Sequence, residues 1–268
     1  MPGLFTILSP AKTLDMEADA STAGITSTKP RLAGQTRTLA GELRDYSPKR
    51  LEQLMSISTK LAGLNAERWQ AFGTRSNPRH AAALCFRGDV YQGLEAWTMK
   101  AASMKWAQER LRILSGLYGL LRPLDVIQPY RLEMGTRLKT DQGADLYTFW
   151  GDRINKLLRA DMADAGATAL VNLASDEYSK AARLDELDVP VVHVKFLQVD
   201  KGKAKFMSFY AKQSRGLMAR WMADTRPKTV AALADFDAQG YRLQKKDSTE
   251  DTLVFSRPKP APASARAG

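Results

Sequence analysis

Cysteine is almost absent from this chain: Cys85 stands alone among 268 residues. An internal disulfide framework is therefore excluded, and the usage fits a reducing compartment. Histidine is nearly as scarce, and His80 and His193 are too far apart in sequence to form a spaced ligand pair. No metal or cofactor site is written into the chain at a recognisable spacing. Uncharged apolar runs are short, and none approaches the ~18–20 residues that a membrane span requires. The segment Met1-Pro2-Gly3-Leu4-Phe5-Thr6-Ile7-Leu8-Ser9 lacks the basic start of a secretory leader, so the expected location is the cytoplasm. With hydrophobic residues at 44% and charged residues at 26%, a mostly disordered or collagen-like polymer is excluded too.

Positive charge is what the chain has in excess. Forty Lys and Arg face 29 Asp and Glu, for a formal net charge of +11. Nine basic residues fall between Lys195 and Lys228, opposed only by Asp200 and Asp224, so that stretch holds +7 of the excess. Arg257, Lys259 and Arg266 add more near the C-terminus. Concentrated positive charge makes a polyanion the first partner to consider. A solvated basic face with no partner has the same composition, so charge alone does not decide.

Apolar spacing gives the organisation. Phe5–Leu8 reads as a first strand stopped by Ser9-Pro10, and residues 16–38 read as irregular with a late helix start. Pro48, Leu51, Leu54, Met55 and Leu61 have helical spacing, with Gly63 as the stop. Ala83–Val90 reads as a buried strand, and Met99, Ala102, Trp106, Ile113 and Leu117 read as one helix face. Leu170–Ala174 is a second buried strand. Val189–Val199 and Ala204–Phe209 flank Asp200-Lys201-Gly202-Lys203 as a hairpin, followed by a helix over Tyr210–Ala223. Tyr241–Leu243 and Thr252–Phe255 make a terminal hairpin. Strands and helices intermix throughout, which implies an α/β fold with a mixed sheet. The expected organisation is one domain over residues 1–256 with a basic, Pro/Ala-rich, disordered tail over 257–268.

Three segments could carry function. Ser9-Pro10-Ala11-Lys12-Thr13 has the Ser-x-x-Lys spacing of some acyl-transfer nucleophiles, but no partner motif follows and Pro10 constrains the turn. What survives is a strand-end loop presenting Lys12 to an anion, beside the plainer reading of a solvated lysine. In Leu114-Ser115-Gly116-Leu117-Tyr118-Gly119-Leu120, a helix that breaks at paired glycines and restarts would turn backbone N–H groups toward a phosphate, as a helix-hairpin-helix element does. Two residues separate the glycines instead of the usual one, and an ordinary glycine C-cap explains the pattern equally well. In Phe209–Met222, Tyr210, Leu217, Met218, Trp221 and Met222 share one side of the helical wheel, and Lys212, Arg215 and Arg220 share the other. Such a helix can dock by its apolar face and track a phosphate backbone; an anionic membrane or a calmodulin-like partner suits it less. Arg87-Gly88-Asp89 spells an adhesion tripeptide with no secreted context. Asp125, Glu133, Asp152, Asp176 and Glu177 have no catalytic spacing and are expected in salt bridges with Arg122, Arg131 and Arg137.

These segments recur together in one known order. Ser9-Pro-Ala-Lys-Thr-Leu-Asp15, Gly88-Asp-Val-Tyr91, Leu114-Ser-Gly-Leu-Tyr-Gly119, Arg122-Pro-Leu-Asp125, Pro129-Tyr-Arg-Leu-Glu-Met-Gly135, Phe149-Trp-Gly151, Asn172-Leu-Ala-Ser-Asp-Glu-Tyr178 and Phe209-Tyr-Ala-Lys212 resemble the bacterial YaaA family of peroxide-stress resistance proteins, over roughly residues 4–256. Arg87 stands where that family usually has Lys, Ser214 where Ala is common, and the basic tail is extra. The resemblance implies a cytoplasmic single-domain α/β protein of unusual fold, with a basic cleft and a helix-hairpin-helix element. It also implies binding of duplex or distorted DNA with little sequence preference, and protection against oxidative damage by lowering unincorporated iron. Carried onto this chain, the DNA contacts fall on Lys12, Arg87, Arg122, Arg131, Lys212 and Arg215 in the cleft; the helical wheel adds Arg220. The hairpin falls on Ser115, Gly116, Tyr118 and Gly119. The expected protein is a non-enzymatic DNA binder without cofactor or metal, monomeric off DNA. The alternative is an enzyme acting on a nucleotide or nucleic acid in the same cleft, with Lys12, Asp176 or Glu177 as reacting groups.

Overall fold

The computed structural model describes residues 2–17 and 24–260. Its strands are β1 (Gly3–Leu8), β2 (Thr13–Leu14), β3 (His80–Ala81), β4 (Phe86–Arg87), β5 (Leu111–Ser115), β6 (Gly119–Leu121), β7 (Val126–Ile127), β8 (Ala167–Leu173), β9 (Val191–Asp200), β10 (Lys203–Phe206), β11 (Arg242–Leu243) and β12 (Thr252–Pro258). Its helices are α1 (Ala33–Arg44), α2 (Pro48–Met55), α3 (Thr59–Ala71), α4 (Ala82–Cys85), α5 (Asp89–Leu94), α6 (Ala101–Arg110), α7 (Leu146–Trp150), α8 (Arg153–Asp164), α9 (Asp176–Ala181) and α10 (Ser208–Thr225).

The fold is α/β around one mixed sheet, in the order β11-β12-β9-β8-β1-β5-β6, with β10 added to β9. β1 is buried at every position and β8 from Ala169 onward. Strands covered on both faces lose the polar alternation of a half-wet strand, which is why both read as plain apolar runs. β1 pairs in parallel with β5 on one side and β8 on the other, and β8 passes in parallel to β9. The chain therefore builds outward in one direction from β1 to β5, then reverses and builds the other way through β8 and β9. The reversal between β1 and β8 is a topological switch point, and it leaves a crevice beyond their carboxyl ends.

The hairpin β9–β10, the helix after it and the terminal hairpin β11–β12 form where apolar spacing puts them. Four readings need correction. The helix from Pro48 is two helices: Ser56 takes a left-handed turn (φ 49°, ψ 53°), and Ser58 restarts the helix by accepting the Leu61 N–H at 3.4 Å. Gly63 lies inside α3 and stops nothing. Ala83–Val90 is not a strand, because the run is spent on one helical turn, the two residues of β4 and the first turn of α5. The helix expected to reach Leu117 ends at Arg110, where the chain extends into β5. A strand buried on both faces contains Ile113 and Leu114 as readily as a helix does, so spacing alone did not separate the two. Finally, Arg257 does not begin a tail. It is buried in β12, donating from Nε to Gln198 Oε1 at 3.0 Å, and Lys259 reaches Asp200 at 3.3 Å. Residues 261–268 of the expected tail lie outside the described residues.

One hydrophobic core runs from Leu4 to Phe255. At its C-terminal end Phe196, Phe236, Tyr241 and Phe255 pack with ring centroids 5.2–6.2 Å apart. Each such side chain gives about 1.5–3 kcal/mol through burial. Beneath β5, Asp161 of α8 is clamped between Arg31 and Arg112, the latter donating from Nε at 2.5 Å. Burial works against the Asp161 carboxylate, but the two guanidinium groups outweigh it and hold its pKa below the ordinary range. α10 lies on α5 with almost no gap. A Cβ on Gly216 would stand 1.7 Å from the Val90 carbonyl, and one on Gly93 would stand 2.0 Å from that of Gln213. Only two facing glycines let the helices meet this closely.

Candidate functional site

A cleft of about 390 Å3 opens in the switch-point crevice. Its floor is set by Ser9, the first residue past β1, which is buried and joins the ends of the two central strands. The Ser9 hydroxyl accepts the Ser175 N–H at 2.9 Å and lies 3.2 Å from the Ser175 hydroxyl. Tyr91 donates its hydroxyl to the Ser9 carbonyl at 3.2 Å. The loop from Pro10 to Thr13 is held by β2 pairing with β4, which brings Thr13 opposite Arg87. Tyr130 to Glu133 form a second wall, Glu177 and Tyr178 a third, and α10 supplies Lys212 and Arg215.

Five of the expected contact residues are thus gathered in one place: Lys12, Arg87, Arg131, Lys212 and Arg215 all line the cleft. They are not equivalent. Lys12 and Arg131 share Glu133, at 2.6 and 3.1 Å. Arg87 meets Asp15 at 3.2 Å, donates to the Leu84 carbonyl at 2.7 Å and lies 4.7 Å over the Trp97 ring. The Arg131 Nε is buried with no hydrogen-bond partner among the described residues. Lys212 and Arg215 make no hydrogen bond or ion pair there; Arg215 feels Asp176 only at longer range. Burial lowers the Arg215 pKa, which marks a cation brought into the cleft wall at some desolvation cost. Glu177, also in the cleft lining, accepts the Gly135 N–H at 2.8 Å.

The other expected residues are elsewhere. Arg122 pairs with buried Asp125 at 2.9 Å and donates to the Lys29 carbonyl, bracing the loop instead of the cleft. Arg220 pairs with Asp224 at 2.8 Å and donates to the Glu95 carbonyl and the Thr98 hydroxyl, tying α10 to the segment after α5. Ser115, Gly116, Tyr118 and Gly119 form a buried strand–turn–strand between β5 and β6, so they do not make a helix-hairpin-helix element. Their polar groups are used internally. Ser115 Oγ meets Tyr130 Oη at 2.7 Å and accepts the Tyr118 N–H at 3.0 Å, while the Gly116 carbonyl accepts from Trp150 Nε1 at 3.0 Å. The glycines are there for close approach: a Cβ on Gly116 would stand 2.3 Å from the Leu132 carbonyl, and Gly119 takes φ +69° against Trp150 and Leu32. A helix–tight turn–helix does exist at α2 and α3, turning on Ser56, where Met55-Ser-Ile-Ser58 alternates apolar with small residues.

The cleft chemistry is that of an anion receptor. Ser9 bonds to Ser175 and not to Lys12, so no serine–lysine nucleophile is assembled. Asp176 is exposed, and Lys12 is occupied by Glu133. Among the described residues no group of three or more His, Cys, Asp and Glu converges as a metal site, and no helix is long and apolar enough to cross a membrane. The sole cysteine is buried, and burial pushes its thiol up to about 12, Arg87 opposing only in part.

The family model described as peroxide stress protein YaaA matches residues 4–247. The chain belongs to that family. Its similarity to curated relatives is nearly end to end: the UPF0246 protein of Idiomarina loihiensis is 45% identical, covering 95% of this chain and 98% of the relative. The UPF0246 proteins of Phenylobacterium zucineum, 46% identical over 97% of both chains, and of a Marinomonas strain, 47% identical over 95% and 97%, are similar to the same degree. A role in peroxide stress comes with YaaA membership, and the structure bears on how that role is not performed. A thiolate is the form of cysteine that peroxide attacks, and Cys85 is held as the buried thiol.

Proposed function

We propose that this YaaA-family protein acts in the peroxide stress response as a cytoplasmic DNA-binding protein that grips phosphates in the switch-point cleft. The observation that supports this most directly is the pair Lys212 and Arg215. Both are turned into the cleft by α10, and neither meets a carboxylate within ion-pair distance among the described residues. A cation held without its own anion is set to receive one. Among the described residues Asn and Gln are absent from the cleft lining, and Arg87 and Arg131 are already engaged with Asp15 and Glu133, so the remaining Lys212 and Arg215 are read as phosphate contacts and not as readers of base edges. Binding is therefore read as insensitive to sequence and sensitive to salt. We read any lowering of unincorporated iron as an indirect effect, with no iron site assigned to this chain.

Labelled duplex, bubble and junction DNA, titrated with protein at several salt concentrations and with or without a divalent metal, tests the reading. Retained, salt-dependent binding with unchanged DNA is the expected result. Failure to bind any of the three overturns it, and a cleaved or altered strand replaces it with an enzyme in the same cleft.

A further inference from the structure

We propose that Phe206 and Phe209 form a stacking platform for unpaired bases at the rim of the cleft, so that a strand with unpaired bases gains contacts there that a duplex does not. The inference rests on the DNA reading above and specifies its ligand. Phe206 is 63% exposed and Phe209 51% exposed, the most exposed large apolar side chains among the described residues. Leaving two phenylalanine rings in water forgoes burial that other aromatics of this chain achieve in its core.

Their surroundings identify what covers them. Phe206 ends β10, whose four residues are all exposed and include Lys203 and Lys205, and Lys201 precedes them in the turn. Phe209 lies in the first turn of α10, and Lys212 follows at i+3, on the same helix face. Lys212 lines the cleft, and Arg215, another turn on, lines it from a more buried position. An aromatic ring, an exposed ammonium and a half-buried guanidinium thus succeed one another from the rim inward. Lys203 and Lys205 alternate with Phe206 along β10 and so lie on its opposite face, while Lys212 shares the face of Phe209. Rings that offer a π-face, alternating with cations that offer a phosphate contact, are the means by which single strands are bound.

A strand whose bases are unstacked can set a phosphate between Lys212 and Arg215 and its neighbouring base on Phe209, whereas stacked and paired bases present no free face to the ring. The Phe209 ring is itself held edge-on to Tyr210, with centroids 5.3 Å apart, which limits its freedom before any base arrives.

The test compares an oligothymidylate with a duplex of equal length, by fluorescence anisotropy, on the full chain and three double variants. F206A/F209A is expected to weaken single-strand binding by about tenfold or more, the size of a lost base–aromatic stack, with duplex binding changed less than about twofold. F206W/F209W should restore single-strand affinity, and F206L/F209L should not, because leucine replaces the apolar surface without the π-face. Thermal melting of each variant confirms that these surface changes leave the fold intact. Unchanged single-strand binding by the alanine variant overturns the inference, as does rescue by leucine or an equal loss on duplex, while the DNA reading itself stands. If the parent chain binds neither oligonucleotide, the DNA reading falls and takes this inference with it.

Discussion

Removing the two unpaired cations of the cleft gives the sharpest measure of what it holds. Lys212→Ala takes away an exposed side chain, and Arg215→Met removes the charge of its neighbour while keeping the unbranched stem packed in the wall. If all five cleft cations engage phosphates of a duplex, log affinity should fall against log salt with a slope of about −4.5, at about 0.9 per phosphate. The double variant should then fall with a slope of about −2.7. Between 50 and 200 mM salt the parent would lose about 500-fold in affinity and the variant about 40-fold. If only Lys212 and Arg215 engage, since the other three cations already have carboxylate partners, the parent slope is about −1.8 and the variant shows almost no salt dependence. Either way the slope flattens by about 1.8 on duplex, or about 1.4 on a single strand. Stability should stay within about 1.5 kcal/mol of the parent, since one change is exposed and the other conserves volume. The assay is a salt series of anisotropy titrations beside a urea melt. A native-like melt with a slope shifted by less than about 0.5 would refute the assignment of these residues to phosphate binding.

Four further outcomes follow from particular contacts. Asp161→Asn should cost about 3–5 kcal/mol at neutral pH, because it leaves the nearly inaccessible Arg112 without its anion. The Asp161 pKa is depressed in the folded state, so its contribution is complete above the ordinary carboxylate range and is lost as pH falls through the lowered value; denaturant melts of the variant should show a weaker acid limb than the parent. Gly119→Val should lower the melting temperature yet leave the DNA affinity of the folded fraction intact, since its φ of +69° and its contact with Trp150 are structural; reduced affinity of a stable variant would return the turn to the DNA surface. Gly216→Ala should destabilise by at least about 1–3 kcal/mol, because a new Cβ meets the Val90 carbonyl at 1.7 Å, and a melting temperature equal to the parent's would show that α5 and α10 can separate freely. Cys85 in the native chain should stay unmodified by hydrogen peroxide at neutral pH and react on denaturation, as read by intact mass.

The elements legible in the sequence are those whose own pattern decides them. β9 and β10 are joined by Lys201-Gly202, both at positive φ, and no other reading suits two apolar runs around that turn. α10 forms where Tyr210–Ala223 is expected, but its buried side is built from Ala211, Ser214, Gly216, Met218, Ala219 and Met222, while Tyr210, Leu217 and Trp221 are only half-buried. Ala83–Val90 failed because four apolar residues in a row fit one helical turn as well as a strand. The resemblance places six cations in the cleft, and five of them line it, Arg122 being the exception. Arg220, assigned from its helix face, is also elsewhere, because a sequence shows a positive charge and hides its partner. Asp125 lies three residues from Arg122 and could have been suspected, but the Glu95 carbonyl and Thr98 hydroxyl that occupy Arg220 come from a distant segment. The glycines of 114–120 misled for a related reason. A glycine that opens room for a phosphate and one that makes room for Trp150 are written with the same letter.

The parallel alignment of β12 with β9 bears on how the chain is made. β9 pairs with β8 and β10 along one edge, but its other edge is closed only when Thr252–Pro258 lies down beside His193–Val199. A parallel neighbour cannot arrive by a hairpin and must wait for the whole crossover through α10 to be synthesised. Until the ribosome has passed Pro258, every nascent copy carries an open strand edge next to Val194 and Phe196, the kind of edge that recruits other chains. Termination before Thr252 would therefore yield aggregating polypeptide instead of a slightly shortened protein, and slow translation of the stretch through Pro258 would lengthen the exposure to chaperones.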